Sequence, residues 1–317
     1  MRSWMLLSLL ILLACQHQSR KVIGVVPKGA NHIFWQTVHA GAEKAAREAG
    51  FEVQWNAPAL ETDASRQIAI VETMINQRLS GIVLAPVDRK ALVAVVERAA
   101  REGIPVSIFD SALDTTQRIS YVATNNEEGG RMAARRLGEV IGGKGKVAII
   151  GFMAGSGATM ERESGFEDEI RKKFPAIQMV GMRYGMADRA KSMAETENLL
   201  TSHPDLAGLF ADNESSSSGA VQGLKSRSAR AVKLVAFDAS DQLVANCREG
   251  WIDSLVVQNP FKMGYESTRS VIRHLAGEKV EPLVDSGARL ILREDLDKPG
   301  VKDLLSPNID QYLKTSR

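Results

Sequence analysis

Short apolar runs rich in valine and isoleucine alternate along the chain with longer segments in which apolar residues recur at helical spacing. The runs predict strands at Val22–Val26, Glu52–Trp55, Gly81–Leu84, Pro105–Phe109, Tyr121–Ala123, Lys146–Ile150, Ile177–Met182, Leu206–Phe210, Val232–Phe237 and Ser254–Val257. The intervening segments predict helices at Trp35–Ala49, Ala64–Gln77, Ala91–Arg101, Gly129–Ile141, Thr159–Lys173, Arg189–Ser202, Ser217–Lys225 and Lys262–Leu275.

The predicted strands are apolar throughout, as in parallel sheets that helices cover on both faces. Their regular alternation with helices indicates a doubly wound α/β fold. The pattern pauses at Asp114–Ser120 and then restarts, which predicts two similar halves. Near the C-terminus, Val284–Leu292 is predicted to be one late strand that pairs with an earlier sheet. The polar tail Asp295–Arg317 is predicted to wrap the surface.

The first residues have the layout of an export signal. Arg2 is followed by an apolar run, Trp4–Leu13, and by the small residue Ala14. The run is shorter than the ~20 residues of a membrane-spanning helix. Its end, Leu-Leu-Ala-Cys15, resembles a bacterial lipobox, in which cleavage leaves a lipid-bearing Cys15 as the N-terminus. An ordinary signal peptide with a coincidental cysteine is the alternative, and both predict export from the cytoplasm.

Composition narrows the class of protein. The chain has 317 residues, of which 44% are hydrophobic and 25% charged, as expected for a soluble protein with two domains. Its net charge of +2 gives no reason to expect a nucleic-acid partner. Beyond Cys15 there is one cysteine, Cys247, so no disulfide is expected, and Cys247 is predicted to lie buried in a helix. The five histidines have no metal-binding spacing, and neither a metal nor a cofactor is expected.

Polar and aromatic residues follow the strand ends, where open α/β sheets bind their ligands. Paired donors and acceptors suit the hydroxyls of a sugar, and flat rings suit its apolar faces. The residues in these positions include Lys28, His32, Phe34, Trp35, Asp110, Ser111, Arg162, Asp212, Asn213, Glu214, Asp238, Gln258 and Asn259.

Several of these residues have a structural alternative. Asp110, Asp212 and Asp238 are also suitable N-caps for the helices that follow them. Phe34 and Trp35 are suitable core residues of the first helix.

Arg162 and Lys28 also have a second interpretation. Arg162 has Glu163 and Glu167 nearby in sequence as surface partners. Lys28 fits a ligand contact and a structural role equally well. The grouping at one sheet edge therefore carries more weight than any one residue.

Motifs of common enzymes are incomplete. Gly155-Ser156-Gly157 follows a strand, but Met160 stands where a dinucleotide fingerprint needs its third glycine. Gly142–Lys146 lacks the spacing of a phosphate loop, and Ser156 has no flanking nucleophile-elbow glycines. Ser215–Ser218 is interpreted as a polar helix start.

From about Lys21 to Leu292 the chain resembles the type I periplasmic sugar-binding proteins, the ribose-binding-protein-like receptors of ABC importers. The resemblance implies that Phe34 and Trp35 stack on a sugar and that His32 and Asp110 contact it. Further segments implicate other residues, namely Arg162 in Arg-x-x-Gly-Phe, Asn213 in Phe-Ala-Asp-Asn, Asp238 in Ala-Phe-Asp and Gln258 in Val-Gln-Asn-Pro.

Two departures from the family pattern bear on the ligand. Ala187 stands where a third aromatic is often found, and Ser111 replaces a usual arginine. Together with Lys28, these residues change the charge and coverage of the site. We therefore expect a small sugar or polyol other than ribose itself.

The resemblance implies two doubly wound lobes joined by a three-segment hinge near Ala123–Asn126, Gln258–Asn259 and Asp285–Ala288. The expected division is a lipoprotein signal peptide at 1–14, an N-terminal lobe at 21–124 plus 259–287, a C-terminal lobe at 125–258 plus 288–296, and a tail at 297–317. Closure of the lobes on the ligand is the implied mechanism.

The expected protein is a monomeric extracytoplasmic receptor that delivers a sugar or polyol to an ABC permease of the inner membrane. A lipid on Cys15 would hold it at the membrane, in the periplasm or at the outer face of the cell. A receptor for a chemotaxis or sensor system, including one for a furanosyl signal, is the alternative. An enzyme on the same scaffold is disfavoured by the incomplete motifs. A repressor is disfavoured because the first strand follows the leader directly, without a helix-turn-helix.

Overall fold

The computed structural model describes residues 21–30 and 32–313, so the predicted signal peptide and Cys15 lie outside the described residues. Its strands are β1 Val22–Val26, β2 Glu52–Trp55, β3 Gly81–Leu84, β4 Val106–Phe109, β5 Ser120–Ala123, β6 Lys144–Gly151, β7 Ala176–Tyr184, β8 Leu206–Ala211, β9 Lys233–Phe237, β10 Ser254–Gln258, β11 Leu283–Asp285 and β12 Ala288–Leu292. Its α-helices are α1 Ile33–Glu48, α2 Ala64–Asn76, α3 Val93–Arg101, α4 Asn126–Val140, α5 Gly157–Lys173, α6 Arg189–Ser202, α7 Glu214–Ser226, α8 Asp241–Arg248, α9 Pro260–Leu275, α10 Val301–Leu305 and α11 Asp310–Leu313.

The strands form two six-stranded sheets, with the order β11-β5-β4-β3-β1-β2 in the first and β12-β10-β9-β8-β6-β7 in the second. Neighbouring strands are parallel except for β12, which runs antiparallel to β10. We call the first sheet with α1–α3 and α9 the first lobe, and the second sheet with α4–α8 the second lobe. The predicted two-lobed α/β fold is confirmed.

Burial explains why the strands are apolar throughout. Every residue of β3 and β4 is buried, because helices cover both faces of the first sheet. The second sheet has a hydrophobic cluster on each face in the same way, one containing α7 and one containing α4 and α5. Each lobe therefore has its own core.

The chain passes between the lobes after β5, after β10 and between β11 and β12. The last passage corrects the prediction of one strand at Val284–Leu292, because the segment forms two short strands, one in each sheet. Gly287 has a positive φ of 84°, and its N–H donates to the Asp285 carboxylate at 2.8 Å. This turn redirects the chain from one sheet to the other.

Side-chain caps account for most differences between predicted and observed helix starts. Helix α4 begins at Asn126 because the Asn125 side chain accepts from the N–H of Glu128. Helix α8 lies within a segment for which no helix bounds were predicted, and Ser240 caps it. Cys247 is buried in α8 with a free thiol, as predicted, and burial raises its pKa to about 11.

The C-terminal segment touches both lobes. Val301, Leu304 and Leu305 of α10 pack against the core of the second lobe. Helix α11 contacts α1 of the first lobe, where the ring of Tyr312 lies 5.4 Å from that of Phe261. None of the helices in the described part of the chain is long and apolar enough to cross a membrane.

Candidate functional site

The ends of β4 and β9 place two aspartates in matching positions of the two lobes. Asp110 follows Phe109 and Asp238 follows Phe237, and both aspartates have positive φ, 62° and 72°. Aspartate tolerates this left-handed conformation better than most residues. Neither aspartate is the N-cap of the helix that follows it, because Asn125 caps α4 and Ser240 caps α8, so that alternative is wrong for both.

These carboxylates border a cavity of about 650 Å³ between the lobes. That volume lies within the range of small-molecule sites. Ten of the thirteen strand-end residues selected from the sequence line it, whereas Ser111, Asp212 and Asn259 do not. The ten are Lys28, His32, Phe34, Trp35, Asp110, Arg162, Asn213, Glu214, Asp238 and Gln258.

In the first lobe, a buried lysine supports Asp110. The Lys28 ammonium lies 2.9 Å from the Asp110 carboxylate and donates to the Ser111 hydroxyl at 2.6 Å. Ser111 in turn donates to Asp110 at 2.9 Å, so it serves beneath the cavity surface. This arrangement neutralises the carboxylate and leaves its other oxygen, Oδ1, for a ligand.

In the second lobe, Arg162 is held by neutral acceptors. Its guanidinium donates to Asn126 Oδ1 at 2.8 Å, to the Asp212 carbonyl at 2.8 Å and to Gln258 Oε1 at 2.9 Å. It also lies 3.9 Å from the centre of the Phe237 ring. Arg162 is buried, so the alternative of a surface ion pair is wrong. Its remaining N–H groups are available to a ligand.

Gln258 connects Arg162 to Asp238. The Gln258 amide donates to Asp238 Oδ1 at 2.6 Å, and the backbone N–H of Glu214 donates to Oδ2 at 3.0 Å. Burial raises the pKa of Asp238, while the charge of Arg162 opposes that rise. The result is a fixed row of acceptors and donors on the second-lobe side.

The aromatic pair belongs both to the core and to the cavity. Phe34 and Trp35 meet edge to face at 4.8 Å, and Trp35 lies 6.3 Å from Phe109 beneath them. Both rings therefore pack in the core of the first lobe and also line the cavity. The packing fixes the ring faces that line the cavity.

Two predicted contact residues also have a capping role. The His32 ring accepts from the N–H of Phe34 at the start of α1, and the Asn213 side chain accepts from the N–H of Ser216 at the start of α7. Asp212, a candidate cap from the sequence, is instead fully buried next to the cap Asn213. Strand β8 ends at Ala211 and helix α7 begins at Glu214, so residues 212 and 213 both follow a strand and precede a helix. The sequence alone could therefore not tell which of the two is the N-cap.

The structure adds residues that the sequence analysis did not select. Glu61 projects into the cavity from the β2–α2 loop, and Phe152 follows β6. Phe152 obeys the strand-end rule and could have been found with it. Glu61 lies in a loop that carries no local signal. The others include Thr159, Met186 and Arg189.

No group of three or more histidine, cysteine or acidic side chains in residues 21–30 and 32–313 is arranged to hold a metal ion. The site instead combines fixed carboxylates, amides, a guanidinium and ring faces. Such a set binds and orients a polyhydroxylated molecule.

Comparisons with known proteins agree with this geometry. A model of the periplasmic binding protein domain matches residues 23–279. The ribose import binding protein of Bacillus subtilis is 30% identical over 84% of this chain and 86% of its own length. The D-ribose/D-allose-binding protein of Pseudomonas aeruginosa is 29% identical over 82% of this chain and 83% of its own.

Solved structures give the same result. A carbohydrate transporter solute-binding protein from Agrobacterium radiobacter, in complex with D-arabinose, has a TM-score of 0.88 and 31% identity and covers 91% of this chain and 99% of its own. An ABC transporter solute-binding protein from Agrobacterium vitis with bound D-fucose has a TM-score of 0.87 and 31% identity and covers 90% and 100%. The chain therefore belongs to the periplasmic binding protein domain family.

Proposed function

We propose that this protein is an extracytoplasmic receptor that binds one small neutral sugar or polyol between its lobes and delivers it to an ABC import permease. The observation that carries the proposal is the convergence of Asp110 from one lobe with Arg162 and Asp238 from the other on a single cavity lined by Phe34 and Trp35. Relatives named for ribose and allose, and solved structures with bound D-arabinose and D-fucose, support a pentose or hexose.

In this proposal the polar residues divide into two groups. The first group contacts the sugar hydroxyls directly and consists of Asp110, Arg162, Asp238 and Gln258. The second group supports the first at the edge of the cavity or below its surface and consists of Lys28, His32, Ser111 and Asn213. The rings of Phe34 and Trp35 cover the apolar faces of the sugar. The ion pairing of Lys28 with Asp110 favours a neutral ligand, because each of these two charges is already compensated by the other.

The cellular setting is part of the proposal. The receptor is monomeric, its lobes comprise 21–124 with 259–287 and 125–258 with 288–296, and a lipid on Cys15 holds it at the membrane. It performs no chemistry on the sugar, since its relatives are solute-binding proteins. Replacing Cys15 with serine should release it from the membrane fraction.

A thermal-shift panel tests the ligand class. Purified mature protein is melted with D-ribose, D-arabinose, D-allose, D-fucose, D-tagatose and sugar alcohols, with sodium gluconate as a charged control. A sugar at 100 times its Kd adds about 2.7 kcal/mol to stability and should raise Tm clearly.

Calorimetry then gives the stoichiometry, and mass spectrometry of the recovered sugar shows whether it is unchanged. One sugar bound per chain and recovered intact is the expected result. A chemically altered sugar, or binding of the anion alone, would contradict the proposal.

A further inference from the structure

One ion pair joins the two lobes beside the cavity. Glu214 opens α7 in the second lobe, and its Oε2 lies 2.5 Å from Nε2 of His32, which caps α1 in the first lobe. The Glu214 side chain is only 3% exposed and is held in place by Arg189 at 2.8 Å and by the Ser218 hydroxyl at 2.9 Å. His32 therefore meets a carboxylate whose position the second lobe has already set.

The lobes are closed against each other in this structure. The N–H of Arg89 donates to the Gly155 carbonyl at 2.9 Å, and the N–H of Ala158 donates to the Ser111 hydroxyl at 3.3 Å. These contacts involve backbone groups and a hydroxyl. The pair of His32 and Glu214 joins two ionisable side chains, and it would break if the lobes separated.

We propose that Glu214 is a positioning residue for ligand binding: through His32 it holds the closed lobes together, so that ligand affinity depends on a side chain that acts across the cleft. The inference rests on the proposed function in that the ligand lies between the lobes. It assigns to Glu214 a role separate from hydrogen bonding to the sugar.

The charges around the pair favour the ionised state. Burial opposes a cation at His32, but the hydrogen bond to Glu214 and the carboxylates of Glu214, Glu61 and Asp238 outweigh it and raise the pKa of His32. Burial also opposes ionisation of Glu214, yet the hydrogen bond and charge of His32, together with Arg189, lower its pKa to about 2. Arg189, the N-terminus of α1 and the Phe34 N–H oppose the His32 cation, because Nδ1 accepts from Phe34 only in the neutral ring. The raised pKa of His32 therefore reflects the carboxylates.

The sign of the pH dependence follows. His32 has a raised pKa in the closed form, so the closed form binds the proton more tightly than a form in which His32 meets water. The ion pair of His32 and Glu214 is strongest at pH values between the pKa of Glu214 and that of His32. It weakens as pH rises through the raised pKa of His32.

Two variants separate charge from packing. Glu214→Gln keeps an oxygen that accepts from neutral His32 but removes the negative charge. His32→Asn keeps an N-cap for α1, because asparagine caps well, but is too short to reach Glu214 as the imidazole does. His274→Asn on the exposed end of α9 is the matched control.

Small-angle X-ray scattering of the sugar-free mature protein from pH 5.5 to 8.5 is the first measurement, and it needs no ligand. The radius of gyration should increase with pH in the wild type and in His274→Asn. It should be larger and independent of pH in Glu214→Gln and His32→Asn. Melting curves show that each variant is folded.

Calorimetry with those panel sugars that bind the wild type is the second measurement. Glu214→Gln should lose roughly 5- to 30-fold in affinity near pH 6 and less near pH 8.5. Wild-type radius and affinity in this variant at every pH would overturn the inference. So would a loss of affinity that is equal at all pH values, because it would mean direct contact with the sugar. If no panel sugar binds, the proposed function fails, while the scattering result still decides the role of the pair.

Discussion

At the scale of single residues, Lys28 and Asp110 show how a charge pair can serve a binding site. Their side chains are 6% and 5% exposed, and each is the counterion of the other. Removing one partner of such a pair leaves a buried uncompensated charge, whereas removing both charges is often neutral for stability. Stability and ligand binding can therefore be measured separately at this position.

We expect Asp110→Asn alone and Lys28→Met alone each to destabilise the protein by about 3–5 kcal/mol. The double variant Lys28→Met/Asp110→Asn should recover most of that stability. It should still bind sugar at least ~30-fold more weakly, because the Asp110 carboxylate that accepts from the sugar hydroxyls is gone. Denaturant unfolding and calorimetry of the three variants provide the comparison. Wild-type affinity in the double variant would show that Asp110 does not contact the ligand.

Behind the site, Glu163 and Asp212 form a buried carboxyl pair. Glu163 Oε1 and Asp212 Oδ1 are both buried without a hydrogen-bond donor in the described part of the chain. Burial and the neighbouring Asp212 carboxylate raise the pKa of Glu163. A proton held between the two oxygens would satisfy both groups.

Because the folded-state pKa of Glu163 is raised, its stabilising proton is fully present below the unfolded value of 4.5 and is lost as pH rises through the folded value. The wild-type Tm should therefore decrease from pH 5 to pH 9. Glu163→Gln should have a flatter profile, since the amide donates to Asp212 at every pH. The control is Asp168→Asn on the same helix, where the carboxylate pairs with Arg171 at the surface. A Glu163→Gln profile as steep as that of the wild type would contradict this account.

At the scale of elements, the crossing of α4 and α5 fixes the position of Arg162. A Cβ on Gly130 would lie 2.0 Å from the Arg162 carbonyl, and a Cβ on Gly165 would lie 2.1 Å from the Glu127 carbonyl. Both helix backbones therefore approach closely through glycine. The same device joins α1 to α9 in the first lobe at Gly41 and Gly264.

Gly165→Ala should push α5 away from α4, cost about 1–3 kcal/mol of stability and weaken sugar binding through displacement of Arg162. The neighbouring Ser164 is exposed on the same helix, so Ser164→Ala is the matched control. Chemical denaturation and calorimetry measure both effects. Unchanged stability in Gly165→Ala would mean that the helices do not touch at this crossing.

At the scale of the whole molecule, the C-terminal segment links the lobes on the outside. Helix α10 is anchored in the core of the second lobe, and α11 lies on α1, where the Arg47 guanidinium donates to the carbonyl of Tyr312. In the closed arrangement this segment adds an attraction between the lobes that is independent of the cavity.

A chain that ends after Ser306 should therefore open more readily. We expect a larger radius of gyration and a loss of sugar affinity of about 2- to 10-fold, equivalent to the ~0.5–1.5 kcal/mol of an aromatic contact. Tyr312→Ala in the full chain should reproduce part of the effect. Scattering and calorimetry measure both quantities, and a truncated chain that behaves like the wild type would remove any role for the segment in closure.

Local sequence determined the elements and the class of the fold. Buried strands such as Gly81–Leu84 are apolar throughout because helices cover both faces of the sheet. A run of consecutive apolar residues can be recognised from the sequence without knowing the tertiary contacts. The strand-end rule also found Asp110, Arg162 and Asp238, because parallel strands bring their carboxyl ends to one edge. The prediction of one strand at Val284–Leu292 was wrong, because the turn at Gly287 directs the two ends of this segment into different sheets. The strands with which these ends pair lie far away in sequence, so local sequence could not indicate them.

Tertiary structure alone decided what each selected side chain does. Asn213 and Asp212 are adjacent in sequence, yet one caps a helix and the other forms a buried carboxyl pair with Glu163. Glu61 and the pairing of His32 with Glu214 gave no sequence signal, because both depend on two lobes meeting across a cleft. Residue type sets which bonds are possible, and the long-range packing of the lobes selects which of them form.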